Sequence, residues 1–288
     1  MSRSMITLTT DFGAGSPYVA QIKGVILSIQ PQAVLVDLTH SIPPQDIRQG
    51  ALVLEDVTPR FPARSIHVAV VDPGVGTDRR ILAAEIGGRY YIAPDNGLLG
   101  RLFNATPAAR MVAVTQSEYW LPDVSATFHG RDIMAPVAAH LSLGTSLEEL
   151  GQPCDRITQL PWPRVAVEKQ RVAGEIIAID SFGNLISNIS QDVLAAVGIG
   201  DSATIQCGSR TINGLAVTYG QYPPGALIAL IGSSNRLEIA VVNGSAAVEL
   251  RAEVGDAVNR FRNGPFPAER ERAKYSYDQL RTLEHPAN

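Results

Sequence analysis

An α/β protein in two parts is predicted: a mostly parallel α/β sheet domain over residues 1–164, followed by a smaller antiparallel β-barrel domain with a charged tail over 165–288. Three observations predict it. Strand-like and helix-like segments alternate from Ile6 to Val71. The helical signal nearly vanishes after Arg164. Between the two regimes, Gly151 to Arg164 runs through Gln-Pro and Leu-Pro-Trp-Pro without periodicity, as a linker does.

Taken in order, Ile6 to Thr9, Ala33 to Leu38 and Ser65 to Val71 are short, β-branched and largely apolar, the pattern of buried parallel strands. Ser16-Pro17 is an N-cap and first-turn pair, and Val19, Ile22, Val25, Ile26 and Ile29 recur at helical spacing up to Pro31. A second helix is expected from Asp46 to Val57, with Ile47, Gly50, Ala51 and Leu54 on one face. Connections this short predict a right-handed βαβαβ unit. Gly87-Gly88 between Ile81–Ile86 and Tyr90–Ala93 signals a hairpin. Met111 to Val114 reads as a strand and Asp132 to Leu141 as a helix despite Pro136. Beyond the linker, Val172–Ile179, Leu185–Ile189, Ser202–Cys207, Ala226–Ile231, Leu237–Val242 and Ala247–Arg251 are strand candidates separated by Gly, Asn and Pro, which suits a small barrel. The charged tail begins at Asn259, and its last residues are expected to fray.

Composition excludes several functions. Of 288 residues 45% are apolar and 18% charged, ordinary for a globular chain. Twenty-four basic residues, 21 of them Arg, stand against 28 carboxylates, a net charge near −4 that offers no basic field to nucleic acid. Cys154 and Cys207 alone make neither a disulfide framework nor a four-thiol zinc site, which suits a cytoplasmic chain. No signal peptide and no bilayer-spanning apolar run is evident, so no membrane role is expected.

Chemistry is sought at the carboxyl ends of the strands, where open α/β sheets bind ligands. Asp11, Asp37, Asp72 and Asp95 each stand at a strand end. Four carboxylates on one rim raise one another's pKa unless something compensates, either a divalent metal or a polyhydroxylated ligand such as a ribose. In Val71-Asp72-Pro73-Gly74-Val75-Gly76-Thr77-Asp78-Arg79-Arg80 a tight loop lets a ligand approach the backbone, and Arg79 can fold back on Asp72. The phosphate-loop and dinucleotide fingerprints are incomplete there. His129 precedes a predicted helix, which favours its neutral form; His40, His67, His140 and His285 are read as structural. Neither a zinc-ligand spacing nor a serine-hydrolase elbow is present. In the second domain, Asp180-Ser181-Phe182-Gly183-Asn184 and Gly232-Ser233-Ser234-Asn235 are turns, with polar groups beside Phe182 suited to a purine edge.

Seven segments taken together resemble one family. They are Thr9-Thr10-Asp11-Phe12-Gly13, Asp37-Leu38-Thr39-His40-Ser41-Ile42-Pro43, Val71-Asp72-Pro73-Gly74-Val75-Gly76-Thr77, Ala93-Pro94-Asp95-Asn96-Gly97, Thr127-Phe128-His129-Gly130-Arg131-Asp132, Phe182-Gly183-Asn184 and Gly244-Ser245-Ala246-Ala247. Their order over residues 5–255 is similar to that of the S-adenosyl-L-methionine (SAM) hydrolases, or SAM hydroxide adenosyltransferases, relatives of the fluorinase and chlorinase. The resemblance implies attack of water or hydroxide on C5′ of SAM, yielding adenosine and L-methionine without cofactor or metal. It implies a homotrimer with active sites at subunit interfaces. It also implies Asp72, Arg79 and His129 as the catalytic set, Asp11 on the ribose, Asp180, Phe182 and Asn184 on adenine and methionine, and Ser234 toward the methionine carboxylate. Halogenase relatives lack the His, so His129 argues for water over halide. Asn235-Arg236 departs from the family's usual Gly and aromatic. The competing readings are a non-catalytic adenosine or SAM binder, a SAM halogenase, and a carboxylate-metal hydrolase using the four strand-end aspartates.

Overall fold

The computed structural model describes residues 4–106, 108–168, 171–197 and 204–261. They form two compact units, one ending at Pro161 and one beginning at Trp162.

The first unit runs β1 (Met5–Thr10), α1 (Pro17–Ile29), β2 (Val34–Thr39), α2 (Ile47–Val57), β3 (Ile66–Val70), β4 (Ile81–Ile86), β5 (Arg89–Pro94), α3 (Gly100–Asn104), β6 (Arg110–Val114), a π-helical turn (Gly130–Met134), α4 (Ala135–Leu143), α5 (Leu147–Leu150) and β7 (Gly151–Pro153). The sheet order is β2-β1-β3-β5-β4-β6-β7. It is mixed: β2, β1, β3 and β5 are parallel, whereas β4, β6 and β7 join antiparallel. Alternation along β3 sends Val68 and Val70 against α1 and α4, and Ala69 with the following Val71 against α2 and α3, so both faces are buried. The expected cap forms, with Ser16 Oγ accepting Tyr18 N–H at 3.3 Å, and α2 is capped as well, Asp46 Oδ1 accepting Gln49 N–H at 2.9 Å.

Pro136 explains the π-helical turn. Lacking an N–H, it leaves the carbonyl of Asp132 outside the helical ladder, and Leu121 N–H donates there instead at 2.9 Å. The stretch from Gly151, read as linker, begins with a strand: β7 pairs with β6.

The second unit comprises β8 (Ala166–Glu168), β9 (Arg171–Ile179), β10 (Leu185–Ser190), α6 (Gln191–Ala196), β11 (Thr204–Cys207), β12 (Arg210–Asn213), β13 (Leu227–Ile231), β14 (Arg236–Val241), α7 (Ala246–Leu250) and β15 (Ala257–Phe261). Its strands pair antiparallel in the order β12-β11-β15-β9-β10-β14-β13, with β8 on β9, and β12 approaches β13 so that the sheet nearly closes. Ile176, Leu185, Ile189, Ile205, Leu237 and Val258 fill its interior. One expected strand is wrong: Ala247–Leu250 lies on α7 and Arg251 is its C-cap, because Ser245 Oγ accepts Val248 N–H at 3.2 Å and so short a stretch carries too little pattern to fix its period. The strand expected from Ser202 is described only from Thr204, and the tail end expected to fray, with His285, lies outside the described residues.

Candidate active site

Asp72 follows β3, and its side chain is 5% exposed, as unfavourable a place for a lone charge as a surface loop offers. Arg79 neutralises it. Arg79 Nε donates to Asp72 Oδ1 at 2.7 Å and Oδ2 at 2.9 Å, and Nη2 donates to Oδ2 as well. The same Nη2 reaches His129 Nδ1 at 3.0 Å. The expected trio therefore meets, in a chain Asp72–Arg79–His129.

This chain sets the state of the imidazole. Burial, then the positive charge of Arg79, holds His129 below its ordinary range, against a smaller opposing pull from Asp72. A guanidinium only donates, so Nδ1 is the acceptor and the neutral ring carries its proton on Nε2. His129 thus presents an N–H donor, and its basic lone pair is occupied.

Two features shape the loops that hold these groups. Gly76 has φ +80°, and a Cβ there would overlap the Ala126 carbonyl, so the loop carrying Arg79 packs backbone to backbone on the loop before His129. That second loop is anchored by buried Asp132, whose Oδ2 accepts Ser125 N–H at 2.8 Å. Phe128, next to His129, meets Phe12 and Tyr18 edge to face at 5.8 and 5.3 Å, walling the site with aromatic surface.

The four strand-end aspartates do not form one acidic cluster. Asp95 takes Arg80 at 2.9 Å and Thr158 N–H at 2.8 Å, holding the 156–158 segment. Asp37 lies within β2, bound to Lys23 at 2.6 Å and facing His40. Asp11 accepts Gln45 N–H at 2.8 Å on Oδ2. Each carboxylate has its own donor, and among the described residues no group of three or more His, Cys, Asp or Glu could hold a metal ion.

In the second unit Asp180 shapes its own turn. Oδ1 accepts the N–H groups of Phe182 and Asn184, both at 2.9 Å, and Oδ2 accepts Asn184 Nδ2 at 2.9 Å. Gly183, with φ +82°, packs against Ser245, and Phe182 is left 76% exposed, an aromatic face with nothing covering it in this unit. Ser234 lies in the turn between β13 and β14, closed by Gly232 N–H to Arg236 O at 2.9 Å. Two residues missed in the sequence stand beside Asp180: buried Glu238, whose carboxyl is pushed up by burial, and Tyr219, whose hydroxyl donates to it. Only their strand and loop placement reveals them.

Residues 6–151 match the SAM hydroxide adenosyltransferase N-terminal domain, and residues 174–259 match the C-terminal domain of that family. A protein from Salinispora tropica named (R)-S-adenosyl-L-methionine hydrolase is 39% identical over 254 residues, covering 87% of this chain and 95% of its own length. One of the same name from Thermus thermophilus is 38% identical, with 85% and 95% covered. A fluorinase from Actinoplanes sp. is 30% identical, with 68% and 75% covered. Among solved structures, an uncharacterized conserved protein from Thermotoga maritima superposes with a TM-score of 0.85 at 34% identity, covering 90% of this chain and all of its own.

Proposed function

This chain belongs to the SAM hydroxide adenosyltransferase family, and we propose that it hydrolyses SAM to adenosine and L-methionine by attack of water or hydroxide on C5′. The observation that supports the reading is the Asp72–Arg79–His129 chain, in which a guanidinium held by Asp72 donates to Nδ1 of a neutral imidazole.

The chemistry asks little else of the protein. The C5′–S bond breaks as the O–C5′ bond forms, the sulfonium leaves as a neutral thioether, and the proton of the attacking water passes to solvent. A sulfonium needs neither protonation nor a Lewis acid to leave, so the work is positioning and desolvation. Arg79, fixed by Asp72, and the Nε2–H of His129 hold the oxygen. Asp11 accepts from the ribose hydroxyls, Phe182 stacks on adenine beside Asn184, and Asp180 and Ser234 face the methionine portion. No cofactor is required.

The assembly we propose is the homotrimer that the family resemblance implies, with each active site completed by the second unit of a neighbouring subunit. A cytoplasmic setting fits two cysteines that both stay free. No helix among the described residues is long and apolar enough to cross a membrane.

The test is incubation with SAM in heavy-oxygen water, followed by chromatography and mass analysis. Adenosine carrying the label at its 5′ oxygen, with L-methionine in equal amount, is expected. SAM bound but unconsumed would select a non-catalytic binder, and a 5′-halogenated nucleoside would select a halogenase.

A further inference from the structure

The loop that carries Asp11 is gripped by a residue with no place in the chemistry above. Thr10 ends β1, and its buried hydroxyl lies 2.9 Å from His40 Nδ1 while accepting Phe12 N–H at 3.3 Å. The carbonyl of His40 accepts Gly13 N–H at 2.8 Å. His40 therefore holds the chain on both sides of Asp11. Its Nε2 faces Asp37 Oδ1 at 3.0 Å, and Asp37 is tied in turn to Lys23 on α1. Five residues beyond His40, the same segment returns to donate Gln45 N–H to Asp11 Oδ2 at 2.8 Å. Gln45 sits at φ +66°, a left-handed conformation that aims its N–H at that carboxylate.

We propose that His40 is a positioning residue for Asp11: it fixes the 10–13 loop so that the carboxylate meets the ribose hydroxyls without first having to be ordered. The proposal rests on the reading of Asp11 as the ribose acceptor. An Asp on a loose loop loses its freedom only when substrate arrives, and that cost weakens binding while leaving the bond-breaking step alone. Lys23 and Asp37 hold the imidazole from behind, so its ring angle is set by three elements: α1, β2 and the end of β1.

The experiment is a double-mutant cycle on steady-state kinetics. His40→Ala is expected to raise KM by about three- to tenfold, the scale of one or two lost hydrogen bonds, with kcat within about twofold. His40→Asn, whose short amide can keep the Thr10 contact, recovers most of that loss. Thr10→Val, which removes the hydroxyl while keeping the shape, raises KM as His40→Ala does and stands in should His40→Ala not fold. In an Asp11→Ala background the His40 substitution has no further effect on KM. An equal KM penalty with and without Asp11, or a fall in kcat at unchanged KM, overturns the assignment. Asp11→Ala alone that leaves KM unchanged overturns the ribose reading instead, a separate result.

Discussion

Arg79 Nη2 lies 3.0 Å from His129 Nδ1, and that bond exists only while the imidazole is neutral, because a protonated ring would set N–H against N–H. Burial and Arg79 both keep His129 below its ordinary value of 6.5. Turnover should therefore be level above pH 6.5 and fall only at lower pH, with an acid midpoint below 6.5. Removing the cation with Arg79→Ala should raise the His129 midpoint, since burial is then opposed by the upward pull of Asp72 and Asp132 with no cation beside the ring. Titration of the His129 ring by NMR in both proteins checks the sign, and a native midpoint at or above 6.5 would refute it.

His129→Ala removes a donor to the nucleophile and scarcely touches the bound substrate. It should lower kcat by about 10²- to 10³-fold, the range for removing one positioned hydrogen-bond donor, with KM little altered. Single-turnover measurement of adenosine release separates this from slow product dissociation. A fully active His129→Ala protein would remove the residue from the reaction.

Gly76 is where the Arg79 loop is least tolerant. A Cβ at this position must displace the Ala126 carbonyl, a backbone atom, and φ +80° is itself unfavourable to any other residue. Gly76→Ala should cost about 1–3 kcal/mol of stability and, by shifting Arg79 against His129, more activity than its stability loss explains. Urea unfolding together with kcat gives both quantities, and a Gly76→Ala protein of native stability would show that the loop has room to move.

Much of this arrangement is legible in the sequence, because it depends on local chemistry. Ser16-Pro17 and Asp46 start their helices, and Gly87-Gly88 turns its hairpin. The identity of each partner is another matter. Arg79 and Arg80 are neighbours, yet one binds Asp72 and the other Asp95, since adjacent residues leaving a strand-flanking loop point apart. Counting aspartates at strand ends therefore suggests a shared acidic site where the fold makes separate pairs. His40 and Thr10 are thirty positions apart, and no periodicity links them until β1 and β2 lie side by side. The short strands β7, β12 and β15 escape notice because three to five residues carry too little pattern.

His67 gives the protein an acid-sensitive core. It is 1% exposed, shares a 2.7 Å hydrogen bond with Thr7 through Nδ1 and lies against Tyr91, and burial, aided by Arg89, lowers its pKa to about 4. The unfolded chain takes up this proton near pH 6.5 and the folded one does not, so stability contributed by neutral His67 is complete above pH 6.5 and drains away as pH falls toward 4. The loss below pH 4 is on the order of 3 kcal/mol. Urea unfolding at several pH values should give a shallower pH dependence for His67→Asn than for the native chain, and equal slopes would assign the acid sensitivity elsewhere.

The proposed sharing of sites between subunits makes a quantitative expectation. Asp72→Ala inactivates the first unit of a chain, and Asp180→Ala, by releasing three hydrogen bonds that set the Phe182–Asn184 turn, impairs the second. Either homotrimer has every site damaged. Co-refolding equal amounts draws each site's two halves at random, so about one site in four combines an intact first unit with an intact second unit from its neighbour. Activity should return to about a quarter of the native level, and dilution of either variant should reduce it. If each site were built within one subunit, mixing would restore nothing, and the second-unit contacts would have to be reassigned to the same chain.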